Sequence, residues 1–67
     1  MSHQNNLKCY RLQNKLTQAE VAAVVGIAER YYQKLEYGKS QPNVTTAQKL
    51  AKVLGAEIGE IFPLPWE

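Results

Sequence analysis

TQAEVAAVVGIAERYYQKLEYG, residues 17–38, is two short helical patterns folded about a glycine. Thr17 is an N-cap residue and Glu20 follows three positions later, which is the spacing of a capping box. Val21, Ala22 and Val25 then form an apolar stripe with helical period, and Gly26 supplies a left-handed C-terminal residue. A second helix is expected from near Ala28 to Gly38, with Tyr32 and Leu35 facing inward. The run VAAVVGI is apolar enough to suggest a strand, but Ala19, Ala22, Ala23 and the capping box favour helix. Only about three residues link the two patterns, so the helices must cross sharply. Such a crossing needs a small side chain on the first helix, and Ala22 stands four residues after Gln18. It also needs a permissive backbone at the corner, which Gly26 provides.

Working outward, three more helical patterns appear. Leu7, Tyr10 and Leu12 suggest an amphipathic first helix over roughly residues 5–14, capped by Asn5 or Asn6. After the loop KSQPN, Val44, Ala47, Leu50, Ala51 and Leu54 hold the 3.6-residue period until Gly55. A last helix from Ile58 to Phe62 is weakened by Gly59 within it. PLPWE, with two prolines, is not helical. The expectation is an all-α domain over residues 1–62, its central helix pair at about 18–37, followed by a short tail at 63–67.

The composition is compatible with one small domain. The chain has 67 residues, 45% of them hydrophobic, which is too many for a disordered tail. Cys9 and His3 each occur once, so neither a disulfide framework nor a metal cluster is expected. No apolar run reaches the length of a membrane span, and MSHQNNLK lacks the hydrophobic centre of a signal peptide. A cytoplasmic location is therefore expected. Net charge is only +2, but it is unevenly spread. Lys8, Arg11, Lys15, Arg30, Lys34 and Lys39 outnumber Glu20, Glu29 and Glu36 in residues 1–43, whereas acids prevail after that point. The basic part contains the helix pair, a mild indication of an anionic partner.

Arg30 and Lys34 sharpen that indication. They stand four apart on one helix face, where like charges repel by a few tenths of a kcal/mol. LTQAEVAAVVGIAERYYQKLEYGKSQP resembles the helix-turn-helix of the phage repressor and Cro family of transcription regulators. LKCYRLQNKLTQ resembles the first helix of that family, and PNVTTAQKLAKVLGAEIGEIF its fourth and fifth. Two departures stand out: Lys15 replaces a common helix-ending glycine, and Glu57 and Gly59 replace the usual cap and acidic residue of the last helix. The resemblance implies a compact five-helix, lambda repressor-like domain that binds double-stranded DNA.

In that docking mode the N-terminal part of the third helix enters the major groove. Ala28, Glu29, Arg30, Gln33 and Lys34 would then face base edges, with Tyr31 flanking them. Arginine or lysine suits guanine, glutamate suits the cytosine amine and glutamine suits adenine. A groove lined with acceptors would reverse the sign of the Arg30–Lys34 repulsion. Backbone contacts are expected from Thr17, Gln18, Tyr31, Lys39, Ser40, Gln41 and Asn43, because helix starts and nearby polar side chains suit phosphates. Four of these have plainer readings: Glu29 as an acid favoured by the helix dipole, Lys34 as a solvated surface lysine, Tyr31 as cover for apolar surface and Asn43 as the cap of the fourth helix. The family also commonly pairs an arginine in the first helix with a glutamate just after the recognition helix, which implies a structural ion pair between Arg11 and Glu36.

A single short recognition helix reads few base pairs, so a homodimer is expected, with Ile58, Ile61, Phe62, Leu64 and Trp66 as its apolar surface. The alternative for the last aromatic residues is that they fold back on their own core. The sequence thus points to a sequence-specific transcription regulator, most simply a repressor, with no cofactor. A protein-interaction module on the same scaffold, such as an antitoxin or bridging factor, is the competing function. An enzyme is not expected: there is no Ser/His/Asp or Cys/His constellation and no glycine-rich phosphate loop.

Overall fold

In the computed structural model, which describes residues 5–62, five helices follow one another: α1 (Leu7–Gln13), α2 (Gln18–Val25), α3 (Glu29–Glu36), α4 (Val44–Leu54) and α5 (Ile58–Ile61). None of these helices is long and apolar enough to cross a membrane. Leu64, Trp66 and His3 lie outside the described residues.

The local chemistry of the helix ends marks where most of the elements begin and stop. At the start of α2, Glu20 N–H donates to Thr17 Oγ1 (3.1 Å) and Thr17 N–H donates to Glu20 Oε1 (2.8 Å), closing the capping box. Asn43 Oδ1 accepts from Thr46 N–H (2.8 Å) and so starts α4. Glu57, which takes the cap position of the last helix, donates its N–H to Glu60 Oε1 (2.9 Å), an acid three residues later at the same capping-box spacing as Thr17 and Glu20. Before α1 the division of labour is unexpected: Asn6 is the cap position but makes no side-chain cap bond, and Asn5 Oδ1 accepts from Leu7 N–H (3.0 Å) instead.

The ends of α1–α4 follow one design. Left-handed residues stand at 15, 26, 38 and 55, and after each the next N–H reaches back five residues, as in Leu16 to Arg11 (3.2 Å) and Ile27 to Ala22 (3.0 Å). Three of the four are glycines. Lys15, at φ 59°, carries a side chain in a region that costs other residues on the order of 1 kcal/mol.

The core is one cluster built from α1–α5: Leu7, Val21, Ala22, Val25, Tyr32, Leu35, Ala47, Leu50, Ala51, Leu54, Ile61 and Phe62. Within it α2 packs against both α3 and α4, and α5 closes on α4. Two expected stripe positions are corrected. Leu12 is 55% exposed because Arg11, four residues after Leu7, takes the inward position that α1 has at that turn. Val44 keeps the helical period but is 68% exposed: it is the first residue of α4, and Pro42 and Thr46 are the buried residues at that end.

Asparagines outside the core tie the elements together over long sequence separations. Asn5 Nδ2 donates to Leu35 O (2.8 Å), Asn6 Nδ2 to Glu60 O (2.8 Å) and Asn14 Nδ2 to Leu54 O (3.0 Å). Each meets a carbonyl at or near a helix end, a group with no partner inside its own helix. Asn6 N–H also donates to Ile61 O (2.7 Å), which pins the start of α1 to the end of α5.

Candidate nucleic-acid interface

Helix α3 has an inner face fixed by the core and by a buried ion pair. Tyr32 and Leu35 are fully buried, and between them and α1 sits the Arg11–Glu36 pair. Arg11 Nε donates to Glu36 Oε2 (2.8 Å) and Arg11 Nη2 to Glu36 Oε1 (3.1 Å), a two-point fork. The third arm of the guanidinium, Nη1, donates to Leu16 O (2.9 Å), so Arg11 also holds the α1–α2 turn. Side-chain exposure is 10% for Arg11 and 2% for Glu36, so this pair is shielded from solvent.

Glu36 collects more donors than its arginine. Tyr32 Oη donates to Glu36 Oε2 (2.8 Å) and Gln18 Nε2 donates to Glu36 Oε1 (3.0 Å). Burial alone would push the Glu36 carboxyl up, but donors from Arg11, Tyr32 and Gln18 outweigh it and hold its pKa below the usual carboxylate range. Hydrogen bonding to Glu36 raises the Arg11 pKa against the opposing effect of burial. Burial, followed by the bond to Glu36, raises that of the Tyr32 phenol, which stays protonated. The cluster is therefore anion, cation and neutral donors at neutral pH, with each charge matched. No buried side-chain nitrogen or oxygen among the described residues lacks a partner.

The outer face of α3 is different in kind. Glu29, Arg30 and Lys34 are exposed, Gln33 and Tyr31 half-buried, and Ala28, exposed, is the N-cap residue. Neither Arg30 nor Lys34 forms an ion pair among the described residues. Tyr31 also packs in part against the core cluster. Gln33 Nε2 lies 3.4 Å from both Gln18 Oε1 and Glu29 Oε2, linking the outer face of α3 to the start of α2.

The residues expected to meet the DNA backbone fall into two groups. Lys39 and Gln41 are exposed and Ser40 half-buried, all in the loop after α3, and their side chains make no hydrogen bond among the described residues. Thr17, Gln18 and Asn43 have structural duties. Thr17 spends its N–H and an acceptor lone pair on the capping box, Gln18 its amide on Glu36 and Gln33, and Asn43 its carbonyl on α4. What remains at the start of α2 is the backbone N–H of Gln18 and Ala19, at the positive end of the helix.

The expected dimer surface needs a correction. Ile61 is fully buried and Phe62 only 8% exposed, both in the chain's own core, because α5 folds onto α4 with its apolar side inward. Of the described residues in that set, only Ile58 keeps partial exposure. Sequence reasoning did not anticipate that Tyr32 and Gln18 both serve Glu36. The available signal was their spacing: Tyr32 lies one helical turn before Glu36 and so reaches the same face.

Comparison with known proteins agrees with this geometry. A helix-turn-helix family model matches residues 7–61, nearly all of the described chain. An uncharacterised HTH-type transcriptional regulator of Methanocaldococcus jannaschii is 38% identical over 58 residues, covering 87% of this chain and 88% of that protein. The cryptic phage CTXphi transcriptional repressor RstR of Vibrio cholerae is 33% identical over 57 residues, 85% of this chain but 51% of the repressor. Among solved structures, the restriction-modification controller protein C.AhdI from Aeromonas hydrophila is similar with a TM-score of 0.78 and 28% identity, covering 85% of this chain and 86% of that one. The chain belongs to the Cro/C1-type helix-turn-helix family of DNA-binding transcription regulators.

Proposed function

We propose that this regulator binds double-stranded DNA sequence-specifically by laying residues 28–37 in the major groove, and that it acts as a homodimeric repressor. The observation that carries the reading is the contrast on α3: its inward residues are locked by the core and the Arg11–Glu36 cluster, while Arg30 and Lys34 stand exposed, one helical turn apart and without an ion-pair partner among the described residues. That arrangement is unfavourable in water and favourable against guanine O6 and N7. Arg30 is assigned to a G·C pair, Glu29, Gln33 and Lys34 to neighbouring base edges, and Ala28 to close approach at the helix start.

Lys39, Ser40 and Gln41, with the free N–H groups at the start of α2, are assigned to phosphates, helped by Tyr31, by the hydroxyl proton of Thr17, by Gln18 and by the amide of Asn43. With roughly four to six phosphates neutralised per dimer, log K should fall with log salt at a slope of about −3.6 to −5.4. Dimerisation is assigned to Ile58 with the tail residues Leu64 and Trp66, since Ile61 and Phe62 are already used internally. No enzymatic role is proposed.

The test is a panel of duplexes varied one base pair at a time, bound by the wild type and by Arg30→Ala. Loss of discrimination at one G·C pair, by about 5- to 100-fold, supports the assignment. An equal loss at every sequence would make Arg30 a phosphate contact. Sedimentation at micromolar concentration checks the dimer, and a strictly monomeric protein rejects it.

A further inference from the structure

The polarity of the Gln33 amide follows from its neighbours. Glu36 is an ionised carboxylate and only accepts hydrogen bonds, so Gln18 must turn its NH2 toward Glu36 (3.0 Å). That orientation leaves Gln18 Oε1 as the atom facing Gln33, at 3.4 Å, so Gln33 in turn must present its NH2. The second acceptor within reach of the same nitrogen is Glu29 Oε2, also at 3.4 Å. Gln33 Nε2 has two protons, and it has two acceptors to receive them. A buried ion pair at the core thereby sets, through two amides, the direction of a side chain on the reading face.

From this we infer that Gln33 offers DNA its carbonyl oxygen alone. The inference rests on the reading that α3 enters the major groove. A glutamine free to use both ends of its amide pairs in two-point fashion with adenine, donating to N7 while accepting from N6. With both protons turned toward Gln18 Oε1 and Glu29 Oε2 at 3.4 Å, the donor half of that pairing is already engaged. Gln33 Oε1 accepts from any exocyclic amine in the groove, which means adenine N6 or cytosine N4, and it is repelled by the O6 of guanine and the O4 of thymine. Gln33 is thus a specificity-determining residue of unusual breadth: it distinguishes amine-bearing bases from oxygen-bearing ones and does not distinguish adenine from cytosine. Gln18 and Glu29 act as positioning residues for this choice, whatever else they touch.

The experiment is the single-base-pair panel, read as ratios of affinity so that uniform losses cancel. Gln33→Ala first locates the position at which discrimination collapses. At that position the wild type should bind adenine and cytosine, on the strand facing Gln33, within about 3-fold of each other, and both about 5-fold or more above guanine and thymine. Gln18→Met removes one acceptor, frees one proton of Gln33 and should raise the adenine-to-cytosine ratio about 5-fold or more. Glu29→Ala frees the other proton and should move the same ratio in the same direction, which keeps the test intact if Gln18→Met fails to fold. A wild type that prefers adenine to cytosine 10-fold or more overturns the proposal. So does a Gln33→Ala variant that changes no position, or an adenine-to-cytosine ratio unmoved in both Gln18→Met and Glu29→Ala. Arg30→Ala in the same panel separates the two levels: if it too alters no base preference, the groove reading itself has failed.

Discussion

The two faces of α3 obey opposite rules. On the inner face every polar atom is matched: Glu36 takes hydrogen bonds from Arg11, Tyr32 and Gln18, and Tyr32 and Leu35 are fully buried. On the outer face two cations stand a helical turn apart with no ion-pair partner among the described residues. The inner face therefore contributes stability, and the outer face costs a little of it. A surface that gives up stability without a structural return is where binding is to be sought.

The comparison can be broken most forcefully from within. Arg11→Ala leaves a buried carboxylate without its cation and should cost about 3–5 kcal/mol. Total stability for a chain this short is on the order of 3–10 kcal/mol, so the melting temperature should drop by roughly 15 °C or more, without DNA present. An unchanged melting temperature would show that the pair does not hold α3 to α1. Next in size, Tyr32→Phe removes one hydrogen bond to a charged group and nothing else, and thermal denaturation should register a loss of about 1.5–3 kcal/mol.

Acid should act on the same cluster. Glu36 has a lowered pKa in the folded chain, so its stabilisation is fully present above its unfolded value near 4.3 and disappears as pH falls through the lower folded value. Melting temperatures between pH 2 and 7 should therefore decline below about pH 4 in the wild type. Glu36→Gln should start lower and decline less; parallel curves would contradict the assignment.

Two smaller effects sharpen the contrast. Lys15→Gly relieves a left-handed conformation and should raise stability by about 0.5–1 kcal/mol, since the gain at φ 59° exceeds the added freedom of the unfolded chain. Smallest of all, Arg30→Ala removes a cation from the first turn of α3 and ends its repulsion of Lys34. Stability should rise by a few tenths of a kcal/mol while affinity for DNA falls. A substitution with those two opposite signs distinguishes the outer face from the inner one better than either measurement alone.

Much of this contrast was legible in the sequence. Val21, Ala22, Val25, Tyr32 and Leu35 repeat at helical spacing, and Thr17 with Glu20 and Gly26 punctuate the helix pair through local chemistry. Local rules fail where partners are distant. Asn5, Asn6 and Asn14 look like caps or loop residues, yet their amides close carbonyls 30, 54 and 40 residues away. Leu12 and Val44 fit a period but sit where no neighbouring helix covers them, and Thr46 is buried although polar. Ile61 and Phe62 illustrate the same limit: an apolar tail segment reads alike whether it meets a second chain or its own core. In the candidate site, the exposed cations were visible as a pattern, whereas the chain of bonds from Arg11 through Glu36 and Gln18 to Gln33 required three dimensions.

The most direct test reverses both cations at once. Arg30→Glu with Lys34→Glu should keep the helical content and melting temperature within a few degrees of wild type, because neither side chain supports the core. Its affinity for the duplex that the wild type selects from a random pool should fall by two orders of magnitude or more at moderate salt. Wild-type affinity in a folded double variant would contradict the assignment of the outward side of α3 to DNA.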